Sequence, residues 1–396
     1  MTARSGAAAE FEVVVVGAGL AGVVTADALA KRGVSVALVD PRETAAACFK
    51  AEKIEADQAD LLRKLGLLGT LRPMAGVIEE VVDARAGRRI QTIRLEQYGV
   101  HYHEMVNAFR AHLPATVHWE KAKVATLSLS ADRQTVGLGN GKELRARLVV
   151  LSTGTNGDLH GSLGIARTWV SRDHSFAFGF DVEPTTGATF PWNSVSYYPV
   201  GTDTRLAYVT FFPIGKTTRC NLFSYHVAKD PFVRAFMTSP KDELLRLLPG
   251  LTRVTGDFRV VSKVQGNAVE LYTVDGRTDG RGERSFLRDG LVLVGDAFQS
   301  VCPTTGSGVS KVLTDADVLA NDCVPVWLRS EGMAKEKLEG FYAHPRKVRT
   351  DADSLHRALY RRRLSLDTSI RWRVHREKSY LAMRLEGIVG ALRGAG

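Results

Sequence analysis

Cysteine is scarce. The 396 residues hold four, Cys48, Cys220, Cys302 and Cys323, far apart and without a Cys-x-x-Cys pair, and no histidines cluster at ligand spacing. A disulfide framework and a structural zinc site are therefore not expected, which fits a reducing compartment. Long apolar runs are also missing, apart from residues 13–30, which follow Glu10 and Glu12 rather than a basic stretch and contain Gly17, Gly19, Gly22 and Asp27. That run is neither a signal peptide nor a membrane span, and a cytoplasmic protein is the expectation. Internal repeats, low-complexity tracts and Pro/Ser-rich linkers are absent. With 44% hydrophobic and 24% charged residues, the composition excludes disorder and collagen. Single cores stop growing at roughly 250 to 300 residues, so a chain of this length implies two domains.

Charge is uneven. From Tyr342 onward there are 13 Lys+Arg against 5 Asp+Glu, so +8 of the net +10 lies in the last 55 residues and the body is nearly neutral. A basic tail can bind nucleic acid or anionic lipid. The preferred reading is a terminal helix with a solvated basic face; nucleic acid is not expected as a partner, and peripheral membrane contact stays open. Leu381, Leu385, Ile388, Val389 and Leu392 recur at helical spacing, a stripe expected to pack on the parent domain.

What is present begins with FEVVVVGAGLAGVVTADALAKRGVSVALVD, residues 11–40, which reads strand, tight turn, helix, strand. Gly17 permits the turn, Gly19 lets backbone amides approach a pyrophosphate, and Gly22 allows the helix to lie close to the strand. Leu20 and Ala21 supply the first helical amides. Asp40, ending the second strand, suits the hydroxyls of an adenosine ribose and would repel a 2′-phosphate. After helical (53–68) and hairpin-like (77–95) stretches, Tyr102 to Leu113 reads helical and residues 116–151 read as a meander. Aromatic-rich strands fill residues 176–275, and LVLVGDAFQSVCPTTGSGVSKVLTDADVLA, residues 291–320, returns to an α/β pattern.

In that last segment Gly295-Asp296, Pro303, Gly306, Ser307, Gly308, Val309 and Asp315 stand in fixed relation. An acid at a strand end can bind a ribityl hydroxyl, and a glycine turn opening a helix presents amides to an anion such as the pyrimidine edge of a reduced flavin. This resembles the Gly-Asp motif of the group A flavoprotein monooxygenases, the para-hydroxybenzoate hydroxylase type. Gln299 replaces the usual His and Ser310 the usual Asn. The resemblance implies FAD as cofactor and a Rossmann-like FAD-binding domain (11–75, 98–175, 276–340). An inserted antiparallel substrate sheet (76–97, 176–275) and C-terminal helices (341–396) complete an α/β fold. It also implies that Lys50 or Lys53 contacts the flavin or its phosphates and that His103 stands where an Arg or Gln contacts the pyrophosphate. In the middle motif only Gly154 is kept, with Thr153, Gly157 and His160 replacing Asp, Ser and Arg. That stretch is closer to flavin halogenases and geranylgeranyl reductases, although none of the five tryptophans forms the halogenase Trp-x-Trp pair.

The activity so implied is monooxygenation with NAD(P)H as transient reductant and O2. The alternative is a flavin-dependent reductase or dehydrogenase of an unsaturated lipid or polyketide. Neither a metal nor a protein nucleophile or acid is required; no Gly-x-Ser-x-Gly elbow is present. Tyr198, Phe211, Phe223 and Tyr225 are the expected contacts of a large, mainly apolar, aromatic or unsaturated substrate molecule. Arg205 and Arg219, at strand starts, are expected to face solvent.

Overall fold

The computed structural model describes residues 9–187, 189–274 and 284–394; the expected domain boundary at 275/276 lies outside them. Four consecutive valines, Val13 to Val16, are buried on both sides of strand Ala9–Val16, as a central parallel strand requires. It pairs in parallel with Val36–Val39 on one side and Glu143–Leu151 on the other. His118–Glu120 extends the first edge in parallel. On the second, Leu291–Leu293 pairs with the end of Glu143–Leu151 in parallel, and Gln134–Leu138 pairs with its beginning in antiparallel. The carboxyl ends of four parallel strands thus converge, bringing Gly17, Asp40, Ser152 and Gly295 to one crevice, where open α/β sheets bind ligands. Helix α1 (Leu20–Ala30) follows the first strand.

A second sheet is built on the long strand Thr168–Pro184, flanked by Thr217–Ser224, Phe258–Val260 and Gln265–Thr273. Leu206–Ile214, Ser194–Tyr198, Gly76–Arg85, Arg88–Gly99 and Lys53–Ile54 continue it outward. It is not wholly antiparallel as expected. Ser194–Tyr198 and Gly76–Arg85 run parallel, because more than a hundred residues separate them and no hairpin constrains their direction. The 77–95 hairpin forms with a two-residue turn, Ala86 and Gly87 both at positive φ (53° and 71°), the geometry whose twist matches paired strands.

Helix α3 (Tyr102–Ala111) packs against α1, and helix α2 (Ala56–Lys64) against strand Arg88–Gly99 and against helix α4 (Ser307–Val318), which follows the second glycine motif. The C-terminal segment forms two helices, α5 (Pro345–Leu366) and α6 (Ile370–Gly394). The apolar stripe of α6 does not pack on the body. Leu381, Leu385 and Ile388 are each more than half exposed, and the side chain of Leu392 lies outside the description. The helix is held by its other side: Arg85 makes a bidentate pair with Glu377 (2.9 and 2.7 Å) and lies 4.1 Å from the Tyr380 ring centre, while Gly387 abuts Gln91. No helix among the described residues is long and apolar enough to cross a membrane.

Candidate functional site

At the crevice, Gly17 has φ +102°, and a Cβ there would meet the Ser152 carbonyl oxygen at 2.7 Å; a Cβ on Gly22 would meet the Gly17 carbonyl oxygen at 1.7 Å. Only glycine fits either place. The Ser152 hydroxyl donates toward the Val16 and Gly17 carbonyls, tying two strand ends together. Asp40 is buried and accepts the Ala18 amide at 2.9 Å and the Arg42 amide at 2.9 Å. Arg110 of α3 donates to the Ala18 carbonyl (2.9 and 2.6 Å). Gly19 itself has no side chain to cap α1; the Leu20 amide donates to the Tyr102 hydroxyl at 3.2 Å, and the positive end of the helix dipole faces the crevice. Gly154, at φ +62°, turns the chain away after the third strand.

The second motif faces the same crevice. Gly295, at φ +58°, donates its amide to Asp315 at 2.8 Å. Asp315 also holds Lys347 of α5 (2.9 Å), and Lys347 reaches Asp351 (3.1 Å), which pairs with Lys311. Burial works to lower Lys347, but Asp315 and Asp351 carry its pKa above the ordinary value. His160 bonds the Ala297 carbonyl at 2.7 Å, bracing the same turn. The Asp296 carboxylate makes no hydrogen bond or ion pair with a described residue; burial pushes its pKa up, opposed by nearby Lys50 and Lys311. Gly306 is left-handed (φ +66°) and caps α4 without a side-chain bond. Gln58 of α2 holds this loop, donating to the Gly306 carbonyl (2.7 Å) and Ser310 (2.9 Å). Ser307 and Ser354 share a 2.7 Å bond, and Gln299 donates to the Asp351 carbonyl at 3.1 Å.

Across from this loop lies the inner face of the second sheet. Its register aligns Ala177 with Phe223, Gly179 with Asn221, Asp181 with Arg219, Phe223 with Tyr208 and Asn221 with Thr210. The Tyr208 hydroxyl donates to the Thr304 carbonyl at 3.0 Å, joining sheet and loop. Phe49 packs with Ala177, Phe223 and Tyr225. Three buried side chains here keep polar atoms without partners: the Asn221 carbonyl oxygen, the Tyr225 hydroxyl, and both ring nitrogens of His174. Burial, and then Arg362, lowers His174 to about 4. Buried polar groups are nearly always paired, so three orphans in one layer indicate where a ligand's polar atoms fit.

Residues 10–351 match the model of a known family, described as FAD binding domain. The chain belongs to the FAD-binding domain family. Its fold is shared by solved structures of low identity. Three of these are p-nitrophenol 4-monooxygenase PnpA from Pseudomonas putida DLL-E4 (TM-score 0.71, 18% identity, 97% of this chain and 98% of that one), Pseudomonas aeruginosa PqsL in complex with 2-aminobenzoylacetate (0.67, 18%, 92% and 98%), and Klebsiella pneumoniae HpxO complexed with FAD and uric acid (0.66, 16%, 97% and 95%). FAD is the cofactor, and the crevice fits it: a cradle that a Cβ at Gly17 or Gly22 would fill, two helix N-termini opened by glycine, and an acid, Asp296, near a strand end without a partner among the described residues.

For this FAD-binding protein the structure also redistributes several expected residues. Helix α3 presents Tyr102 to the glycine turn, its hydroxyl 3.2 Å from the Leu20 amide nitrogen. His103, one residue and about 100° further round the helix, instead lies 5.7 Å from the His101 ring. Lys50 lies over the Tyr102 ring (5.5 Å) and near Asp296, whereas Lys53 pairs with Glu55 at 3.6 Å. Phe211 points to the opposite side of the sheet, against Trp192 and Phe258, because strand alternation separates it from Tyr208. Arg219 is buried rather than solvated: it grips Glu52 through two 2.8 Å bonds and reaches Asp181 at 3.0 Å. The inner face is correspondingly more polar than its aromatic density suggested. Tyr208 is legible as one of the aromatic-strand residues, whereas Asn221 and Tyr102 are legible only through their neighbours, Phe223 and His103.

Proposed function

We propose that the protein is an FAD-dependent monooxygenase that uses NAD(P)H and O2 to place one oxygen atom on an electron-rich aromatic or unsaturated substrate lying against the inner face of the second sheet. Bound FAD supplies the redox chemistry, accepting a hydride and activating oxygen. Gly17, Gly19, Leu20, Ala21 and Gly22 would hold the pyrophosphate, Asp40 the adenosine ribose, Asp296 the ribityl chain, and the turn from Pro303 through Gly306, Ser307, Gly308 and Val309 the pyrimidine edge. The amides opening α4 stabilise negative charge on that edge. Lys50, beside Asp296, offsets the local acid.

The observation that carries the reading is the orphaned polar layer facing the cofactor loop. Phe49, Tyr208 and Phe223 exclude water from that layer, which protects an oxygen-transfer step from wasteful release of hydrogen peroxide. Tyr198, Phe223 and Tyr225 remain substrate contacts; Phe211 does not. Because the Asp40 carboxylate repels a 2′-phosphate, NADPH would dock elsewhere than residues 17–22. Anaerobic addition of NAD(P)H should bleach the flavin, and readmission of labelled O2 with a panel of phenols and alkenes should give a product carrying one labelled oxygen. Bleaching followed only by peroxide, or product formation without O2, would favour the reductase alternative.

The exposed stripe of α6 supports a second property, peripheral contact with an anionic membrane surface. Arg371 and Lys378 border the stripe on one side and Arg373 and Arg384 on the other. Co-sedimentation with phosphatidylserine but not phosphatidylcholine vesicles, lost in Leu385→Glu, is the expected outcome; equal recovery with both lipids would remove this property.

A further inference from the structure

In the basic C-terminal segment Arg361 faces inward with neither a counter-charge nor a hydrogen bond among the described residues. Arg361 of α5 brings its guanidinium carbon to 5.7 Å from the Tyr208 ring centre, with Tyr198, Tyr225 and Tyr380 as its other electrostatic neighbours. No ion pair or hydrogen bond joins its side chain to any described residue. The acid it influences, Asp83, is engaged elsewhere, accepting Gln91 at 2.8 Å and the Tyr198 hydroxyl at 3.3 Å.

Nearby arginines are matched. Arg219 holds Glu52 and Asp181, Arg85 holds Glu377, and Arg376 donates to the Leu364 and Asp367 carbonyls. Arg362, its neighbour in sequence, donates to Ser171 at 3.0 Å. Withdrawing a guanidinium from water without an anion is costly, and tyrosine faces return only part of that cost. Arg361 is also close to the reaction layer: the Tyr208 ring it approaches is the one whose hydroxyl reaches Thr304 in the cofactor loop, and the orphaned Tyr225 hydroxyl lies in the same group.

We infer that Arg361 is the anion-recognising residue of the substrate site, so that the substrate carries a carboxylate, held by the guanidinium fork while its ring lies along Tyr208 and Phe223. The inference rests on the proposed function for the place where the ring reacts, and it narrows the substrate class from largely apolar compounds to acids with an aromatic or unsaturated body. A planar fork suits a carboxylate through two parallel bonds, which a lysine cannot reproduce.

The test is equilibrium binding to the FAD-loaded protein, followed by the flavin difference spectrum and by calorimetry, with two matched pairs of probes: benzoate and benzamide, 2-naphthoate and 2-naphthamide. Wild type should bind at least one acid roughly tenfold or more tightly than its amide. Arg361→Met should abolish the difference while leaving amide affinity and FAD content unchanged, and Arg361→Lys should keep part of it. Failure of both acids to bind wild type, equal binding of acid and amide, or an acid preference that survives Arg361→Met would each overturn the inference. If Arg361→Met does not fold, the Arg361→Lys affinities and the wild-type ratios decide. No turnover is needed, so a protein that prefers acids but forms no oxygenated product would sink the monooxygenase reading alone.

Discussion

The two faces of the second sheet are made by the same strands and behave as different materials. On the outer face Phe178, Phe180, Phe211 and Leu222 interlock with Phe236, Leu244 and Phe258 of the covering segments. Polar atoms at its margin are satisfied, as where Tyr197 accepts the Gly87 amide and donates to the Pro249 carbonyl. On the inner face the aromatic rings are interleaved with Ser196, Thr210 and Asn221, and unpartnered atoms remain. Strand alternation assigns every residue to one material or the other. Aromatic content therefore says little about a binding surface until the phase of each strand is known.

The sharpest way to break this comparison is at Phe211. Phe211→Ala should cost about 3–5 kcal/mol in urea unfolding while the FAD content of the folded fraction stays at one per chain. Unchanged stability with altered ligand binding would return Phe211 to the inner face. On the cofactor's side, Asp296→Ala should weaken FAD binding by about 1–3 kcal/mol, read by reconstitution of the apoprotein followed by flavin fluorescence; wild-type affinity would mean that the acid has no ribityl partner.

His174 gives the comparison a pH axis. Its folded pKa of about 4 lies below the unfolded 6.5, so the unfolded chain binds the proton first as pH falls. Stability is then present in full above pH 6.5 and is lost progressively toward pH 4, by about 2 kcal/mol at pH 5. Unfolding of wild type and His174→Leu at pH 7 and pH 5 should show this loss in the former and its absence in the latter. The smallest stability effect is expected at Asn221. Asn221→Leu removes an unsatisfied buried oxygen and should change stability by less than about 1 kcal/mol, yet weaken ligand binding measured by the flavin difference spectrum. A loss as large as that of Phe211→Ala would mean that the two faces are packed alike.

The crevice was legible in the sequence because its signals are local. Gly17 and Asp40 directly follow a strand, Gly295-Asp296 comes within three residues of one, and Gly22 stands in the helix that the first turn opens, so spacing alone places them. Errors arose where phase mattered. One residue of helical phase separates Tyr102 from His103, and one residue of strand phase separates Phe211 from Tyr208 or Phe212. Arg219 looks solvated from its place at a strand start because its partner, Glu52, lies 167 residues away in a loop without periodicity. Arg361 was hidden differently: it stands in Arg361-Arg362-Arg363, a run that reads as surface charge, and only the approach of α5 to the tyrosines separates it from its neighbours.

Helix α5 also sets a schedule. The first glycine turn is made long before its counterpart is complete: the turn at Gly295 is held by Asp315, which is itself neutralised by Lys347, and the Ser307 hydroxyl waits for Ser354. The two ends of the cofactor site are therefore completed hundreds of residues apart in synthesis. A nascent chain released anywhere before residue 355 would carry the dinucleotide turn without the means to close over its ligand, and colour should be acquired only once α5 has been made.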